Sequence, residues 1–329
     1  MRENQDTLKF FGRQNPDTLL FFVGRPVAFA SRFSVVLLAA LIAFGADALA
    51  QQRLVVVTTT TDLKSLAEAV GGDRVQATSI VPPTLDAEEY QPRPQDLARL
   101  KDARLVVRVG LDYDLWFDRL LRQAGNPALM RGGAGYMDAS LAIALLDVRG
   151  SAVGPQGGHA HGSGNPHYWL DPMNAEIITG FLLEALSRLD PAGAKYYEAR
   201  RIAFLDRLAG RLRVWEAALA GVQGKPMIAY HNGWAYLARR FRLHIAGTIE
   251  VKAGIPPSPA HLAALARTMI EMRILVILKQ PFEPAKYPDF LAAKTGARIV
   301  VLAASVGAVP EATDYFALFD YNVKALSGG

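Results

Sequence analysis

From residue 53 onward, short apolar runs alternate with segments of helical periodicity. The run 53–58 (RLVVVT) is apolar and rich in β-branched residues, which predicts a strand buried on both faces. Leu63–Val70 follows as a helix, with Thr61 or Asp62 as its cap and Gly71-Gly72 as its stop. Residues 74–81 alternate apolar and polar as a second strand, and a proline-rich loop runs from Pro82 to Pro94. Then come a short helix at Gln95–Lys101, a buried strand at Leu105–Val109 and a helix at Asp114–Gln123. Two segments of strong helical periodicity, Glu176–Leu189 and Ala192–Leu219, are separated by Pro191, which suits a first helical turn. The second would span about 40 Å at about 1.5 Å per residue. The alternation then resumes, with strands at Pro226–Tyr230, Leu243–Ile249, Ile274–Leu278 and Arg298–Leu302. Helices are predicted between them, and one closes the chain at Tyr315–Ala325.

Strand–helix alternation on either side of a long helix predicts an α/β fold: two lobes with mostly parallel sheets, joined by one long backbone helix. The expected boundaries are 51–189 for the N-terminal lobe, 190–221 for the linking helix and 222–329 for the C-terminal lobe. In open α/β sheets ligands sit beyond the carboxyl ends of the strands, so the site is expected in the cleft between the lobes.

Residues 1–50 have a different character. Arg25 and Arg32 precede the apolar run Phe33–Phe44, and Ala46–Ala50 ends in a small-x-small pattern before Gln51, as in a signal peptide cut at that point. Residues 1–24 are long for a basic leader and suggest a start site further along. The mature protein is therefore expected to be exported and soluble.

Composition narrows the chemistry. The 329 residues are 51% hydrophobic and 20% charged, enough apolar surface for a sizeable core. The net charge of +5 is spread along the chain without a Lys/Arg block, which argues against nucleic acid. Cysteine is absent, excluding disulfides, thiolate metal sites and thiol catalysis. There are six histidines, so their placement carries weight.

His167 lies in Asn165-Pro166-His167-Tyr168-Trp169-Leu170-Asp171, just after a turn, with Asp171 as the expected acceptor for its second ring nitrogen. His231 directly follows the strand Pro226–Tyr230. The loop 84–92 packs Asp86, Glu88 and Glu89 near a strand end, and Glu250 and Glu283 follow two further strands. Taken alone, each histidine can also be an ordinary core histidine, and carboxylates in such positions are more often simple surface charges. His159 and His161 sit in the Gly/Ser-rich stretch 150–166, where ordering a loop around an ion costs affinity. No phosphate-binding glycine loop, nucleophile elbow or HExxH pair is present.

Several segments together resemble the zinc/manganese substrate-binding proteins of ABC transporters, the zinc-uptake solute-binding family. They are VVTTTDLKSLAEAVGGDRVQATSIVPP, DAEEYQPRPQDLARLKDARLVVRVG, NPHYWLDP, IAYHNGWAYLARRF and KTGARIVVLAASVGAVPEATDYFALFD. The resemblance implies two α/β lobes on a long helix, with a transition metal held between them. It implies His167 and His231 as ligands, with Glu88 standing where the family usually supplies a histidine. The family's further carboxylate, after the last strand, has no counterpart in Leu302-Ala303-Ala304-Ser305. Glu283 is the expected completion, with Glu250 or water as alternatives.

The resulting expectation is a monomeric periplasmic protein that captures Zn²⁺, or alternatively Mn²⁺, through His167, His231, Glu88 and Glu283 and delivers it to a membrane ABC permease. Binding should fade as pH falls through the imidazole range near 6.5, roughly the free histidine value. Two alternatives remain open from the residues: a family member whose degenerate site binds another ligand or a partner, and a zinc hydrolase using Glu89 or Glu283 as base. No catalytic step is assigned.

Overall fold

The structure, a computed structural model, describes residues 53–147, 164–252 and 254–328. The segment expected to be a signal peptide and the His159–His161 stretch lie outside the described residues.

The apolar runs form two four-stranded parallel sheets of the same topology. In the first, β1 (Leu54–Thr58) pairs with β2 (Val75–Ser79) on one side and β3 (Leu105–Arg108) on the other, and β3 pairs with β4 (Tyr136–Asp138). In the second, β5 (Pro226–Ala229) lies between β6 (His244–Thr248) and β7 (Val276–Lys279), and β7 pairs with β8 (Arg298–Val301). Each sheet therefore reverses its winding direction beside its first strand, β1 or β5. That is where parallel sheets open a crevice at the carboxyl ends.

Helix α1 (Thr61–Gly71) begins with Thr60 at the N-cap position, and no side chain caps it. Gly72, at φ 51°, ends it; a side chain there would collide with Tyr196 and Arg200. The expected cap Asp62 is used elsewhere. It is fully buried, and its Oδ1 accepts the Val306 amide from beyond β8 at 2.9 Å. Burial pushes its pKa up to about 7, against the lowering pull of the Val306 and Ser305 hydrogen bonds.

Helices α2 (Pro94–Arg99) and α3 (Trp116–Ala124) pack on each other, α4 (Asn174–Leu189) leads into the long α5 (Ala194–Leu219), and the short α6 (Ala235–Phe241) follows β5. α5 has 26 residues and packs on α1 and α4 at one end and on α9 (Tyr315–Ser327) at the other. The first end is fixed by Asp190, just before it, which accepts two Arg74 guanidinium nitrogens at 2.9 and 2.7 Å and the Tyr197 hydroxyl at 2.6 Å. The far end is fixed by Trp215, whose Nε1 donates to Asp320 at 2.7 Å and whose ring packs on Phe316 and Phe319.

The hydrophobic core is continuous from one sheet to the other. Val56, Val107, Leu182, Trp169, Phe204, Trp215, Leu278 and Phe319 belong to one buried cluster. A second cluster, including Ile228, Ile249, Leu265, Met269 and Leu291, lies under α7 (Pro259–Glu271) and α8 (Lys286–Thr295). Among the described residues, no helix is long and apolar enough to cross a membrane.

Candidate metal centre

Three of the predicted side chains meet where the two sheets face each other. One ring nitrogen of His167, one of His231 and a carboxylate oxygen of Glu88 all lie within 4.8 Å of one another. The two imidazole centroids are 5.2 Å apart and inclined at 61°. Both histidines are buried and Glu88 is half-buried. Gly233 packs against the two rings, with room for no more than a methyl group at 3.4 Å from each.

Glu88 is placed by its loop. Its amide donates to Asp86 Oδ1 at 2.9 Å, and the carbonyl of Ala87 accepts from Trp116 Nε1 at 2.9 Å. The next turn is tied by Asp96, which accepts the Tyr90 hydroxyl and the Arg93 amide, each at 2.7 Å. Thus the side chain that replaces the expected histidine is carried by a loop anchored on both sides.

His231 lies two residues beyond β5. Its Nδ1 stands 3.4 Å from Glu250 Oε2, beyond the end of β6. Glu250, expected as an alternative ligand, is thus the histidine's carboxylate partner. Glu283, beyond β7, is buried, and its Oε2 accepts the Gln280 amide at 2.6 Å. It stands outside the compact triad while its charge still acts on His231.

His167 is oriented by Asn165, whose Oδ1 is 3.1 Å from His167 Nδ1. The expected acceptor, Asp171, serves another purpose. Arg240 binds it through Nε at 2.7 Å and Nη2 at 3.0 Å, and Arg239 stands at 3.6 Å. A buried carboxylate gains more from a bidentate guanidinium than from a neutral imidazole.

Tyr113 was not foreseen. Its ring packs edge-on against His167, with centroids 5.4 Å apart, and against Trp169 at the same distance. It is aimed by two consecutive left-handed residues, Leu111 (φ 52°) and Asp112 (φ 65°), closed by the Tyr113 amide donating to the Gly110 carbonyl at 3.0 Å. Asp114 holds that turn by accepting the Val109 and Gly110 amides at 2.7 and 3.1 Å, with buried Arg108 balancing its charge.

Burial raises Glu88 to about 7, opposed by His231. Burial raises Glu283 to about 8, opposed first by the Gln280 amide and then by His231. For His231, burial alone would lower the pKa, but the Glu250 hydrogen bond together with Glu88 and Glu283 outweighs it and the net shift is upward. All three groups therefore hold protons at a higher pH than in water, and a bound cation must displace them. Metal uptake should weaken as pH falls through a range above the free imidazole value, not at it. Uptake near pH 7 should release protons, seen by calorimetry as an apparent enthalpy that changes with buffer ionisation enthalpy. A buffer-independent enthalpy would contradict this arrangement.

Two parallel-sheet lobes on a long helix, with a buried N/O donor cluster at their facing strand ends, define a two-lobed solute-binding architecture. The family model described as zinc-uptake complex component A, periplasmic (ZnuA), matches residues 56–329, and the chain belongs to that family. It is 25% identical over 284 residues to the high-affinity zinc uptake system protein ZnuA of Bacillus subtilis, covering 83% of this chain and 86% of that protein. It is 23% identical over 228 residues to the manganese ABC transporter substrate-binding lipoprotein PsaA of Streptococcus pneumoniae, covering 68% of this chain and 70% of that protein. Among solved structures, a zinc-bound deletion mutant of ZnuA superposes with a TM-score of 0.69 at 26% identity, covering 84% of this chain and 96% of that one.

Proposed function

We propose that this protein captures a divalent transition metal, zinc first and manganese as the alternative, between its lobes and hands it to a membrane ABC permease. His167, His231 and Glu88 are the primary donors, and Glu283 or water completes the set. The reading is carried by the convergence of Glu88, His167 and His231, distant in sequence, within 4.8 Å. Family membership and the zinc and manganese named for its relatives support it.

The donor chemistry suits these ions. Two imidazoles and a carboxylate form a borderline set that satisfies Zn²⁺ in tetrahedral coordination. A further oxygen donor would move the set toward Mn²⁺, which is otherwise disfavoured in the general affinity order. Glu88 follows β2 of the first sheet and His231 follows β5 of the second, so a cation between them would cross-link the lobes. The signal-like segment 1–50 supports export, with 51–189, 190–221 and 222–329 as first lobe, linking helix and second lobe, and a monomer as the working state. No catalytic step is assigned.

The test is elemental analysis of the purified protein, then calorimetric titration of the metal-stripped form with Zn²⁺ and with Mn²⁺. One equivalent bound, with zinc tighter, is the expected result. The absence of saturable binding of either ion would refute the reading.

A further inference from the structure

We propose that Asp147, with Asn165 and Asn232, forms a polar strap that sets the tautomer of His167 and its spacing from His231 before any metal arrives. This inference rests on the proposed ligand role of the two histidines.

The argument begins with Asn165, which is 1% exposed. Its side-chain Nδ2 donates to the Asn232 carbonyl at 2.9 Å and to Asp147 Oδ2 at 3.1 Å. Both targets can only accept, so the amide has one orientation, with its oxygen toward His167. That oxygen accepts the His167 backbone amide at 3.0 Å and faces His167 Nδ1 at 3.1 Å. An amide oxygen cannot donate. Nδ1 must therefore carry the ring hydrogen, leaving Nε2 as the nitrogen with a lone pair.

The same carboxylate oxygen reaches the other histidine's turn. Asn232 follows His231 directly, and its Nδ2 donates to Asp147 Oδ2 at 3.2 Å. Asp147 thus joins the residue two before His167 to the residue one after His231, across the two lobes. Tyr236 reinforces the joint: its hydroxyl donates to the Asn165 carbonyl and accepts the Leu146 amide, both at 3.1 Å. The Asn165 amide closes the loop on the Leu146 carbonyl at 2.7 Å. None of the three strap residues belongs to the donor triad. Their contribution is to hold imidazoles 5.2 Å apart that would otherwise be set by two independent turns. Partners of this kind, behind the ligands, are generally worth about 10–100-fold in metal affinity.

Two readouts test the strap. In the metal-free, ¹⁵N-labelled protein, two-bond imidazole correlations should report His167 as the Nδ1–H tautomer. Asn165→Ala, which removes the acceptor at Nδ1, should shift the population toward Nε2–H. Separately, with zinc alone as the probe, Asp147→Ala should weaken binding about 10-fold or more. Asp147→Ala with Asn232→Ala should cost no more than Asp147→Ala alone, because both remove the same joint. Asp147 is half-buried, so its variant tests the joint without removing a core side chain. An Nε2–H tautomer in the parent protein, an unaltered tautomer in Asn165→Ala, or unchanged zinc affinity in Asp147→Ala would overturn the proposal. A parent protein that shows the Nδ1–H tautomer but binds no zinc would refute the metal-capture reading and leave the tautomer assignment standing.

Discussion

His231→Ala and His167→Ala are each expected to lower zinc affinity by at least about 100-fold. Full ligation of structural zinc in zinc-finger peptides is worth about 10–16 kcal/mol at neutral pH, which sets a scale of about 3 kcal/mol for one donor of four. Each histidine is buried beside the other with a fixed partner, so alanine removes a donor that is already in place. Glu88→Gln should cost less, because an oxygen donor remains while the charge is lost. Competition against a chromophoric chelator measures all three. If either histidine variant retains parental affinity, the ion does not sit between these rings.

The largest expected effect on stability is that of Trp169→Ala, at about 3–5 kcal/mol. The indole is fully buried, with its ring against Tyr113, His167 and Tyr168. Its Nε1 donates to the Ala304 carbonyl at 2.8 Å, and its own carbonyl accepts the Tyr315 hydroxyl at 2.6 Å. The residue therefore joins the metal-centre wall of the first lobe to the loop and helix beyond β8. Truncation opens a cavity and strands a buried carbonyl, and should lower the thermal midpoint by roughly 10 °C at about 2–4 °C per kcal/mol for a chain of this size. Trp169→Phe should lose only the hydrogen bond and some volume, a much smaller drop. Equal midpoints for parent and Trp169→Ala would contradict the packing described.

Much of this architecture was legible in the sequence, because long apolar runs and helical periodicity are local signals. β4 escaped. It is three residues long, preceded by Gly132-Gly133-Ala134-Gly135, and exists through its pairing with β3. Asp62 read as a cap because it stands at a helix start, yet its acceptor role is toward Val306, 244 residues away. The site divides the same way. The turns around His167 and His231 marked them only as candidates, and the resembling segments singled them out together with Glu88. The partner of Asp171 lies 69 residues downstream, and Glu250 meets His231 only because β6 pairs beside β5. Tyr113 left no signal, since its approach depends on left-handed backbone at Leu111, a residue type that rarely adopts it, as well as at Asp112. Asn165 was in plain view in Asn165-Pro166-His167, but its amide orientation is decided by Asn232 and Asp147.

The division of the interior into two clusters bears on how the molecule comes apart. The main cluster runs through both sheets and the 26-residue helix, so those parts gain and lose their packing together. The smaller cluster under α7 and α8 takes in Ile228 of β5, Ile277 of β7, and Tyr230 and Ile249, the residues just before His231 and Glu250, so opening that layer would loosen the second lobe's side of the site. Hydrogen–deuterium exchange should then divide the protein unevenly: amides of α7 and α8 exchange through a partial opening, and those of β1, β3 and α5 only when the whole chain unfolds.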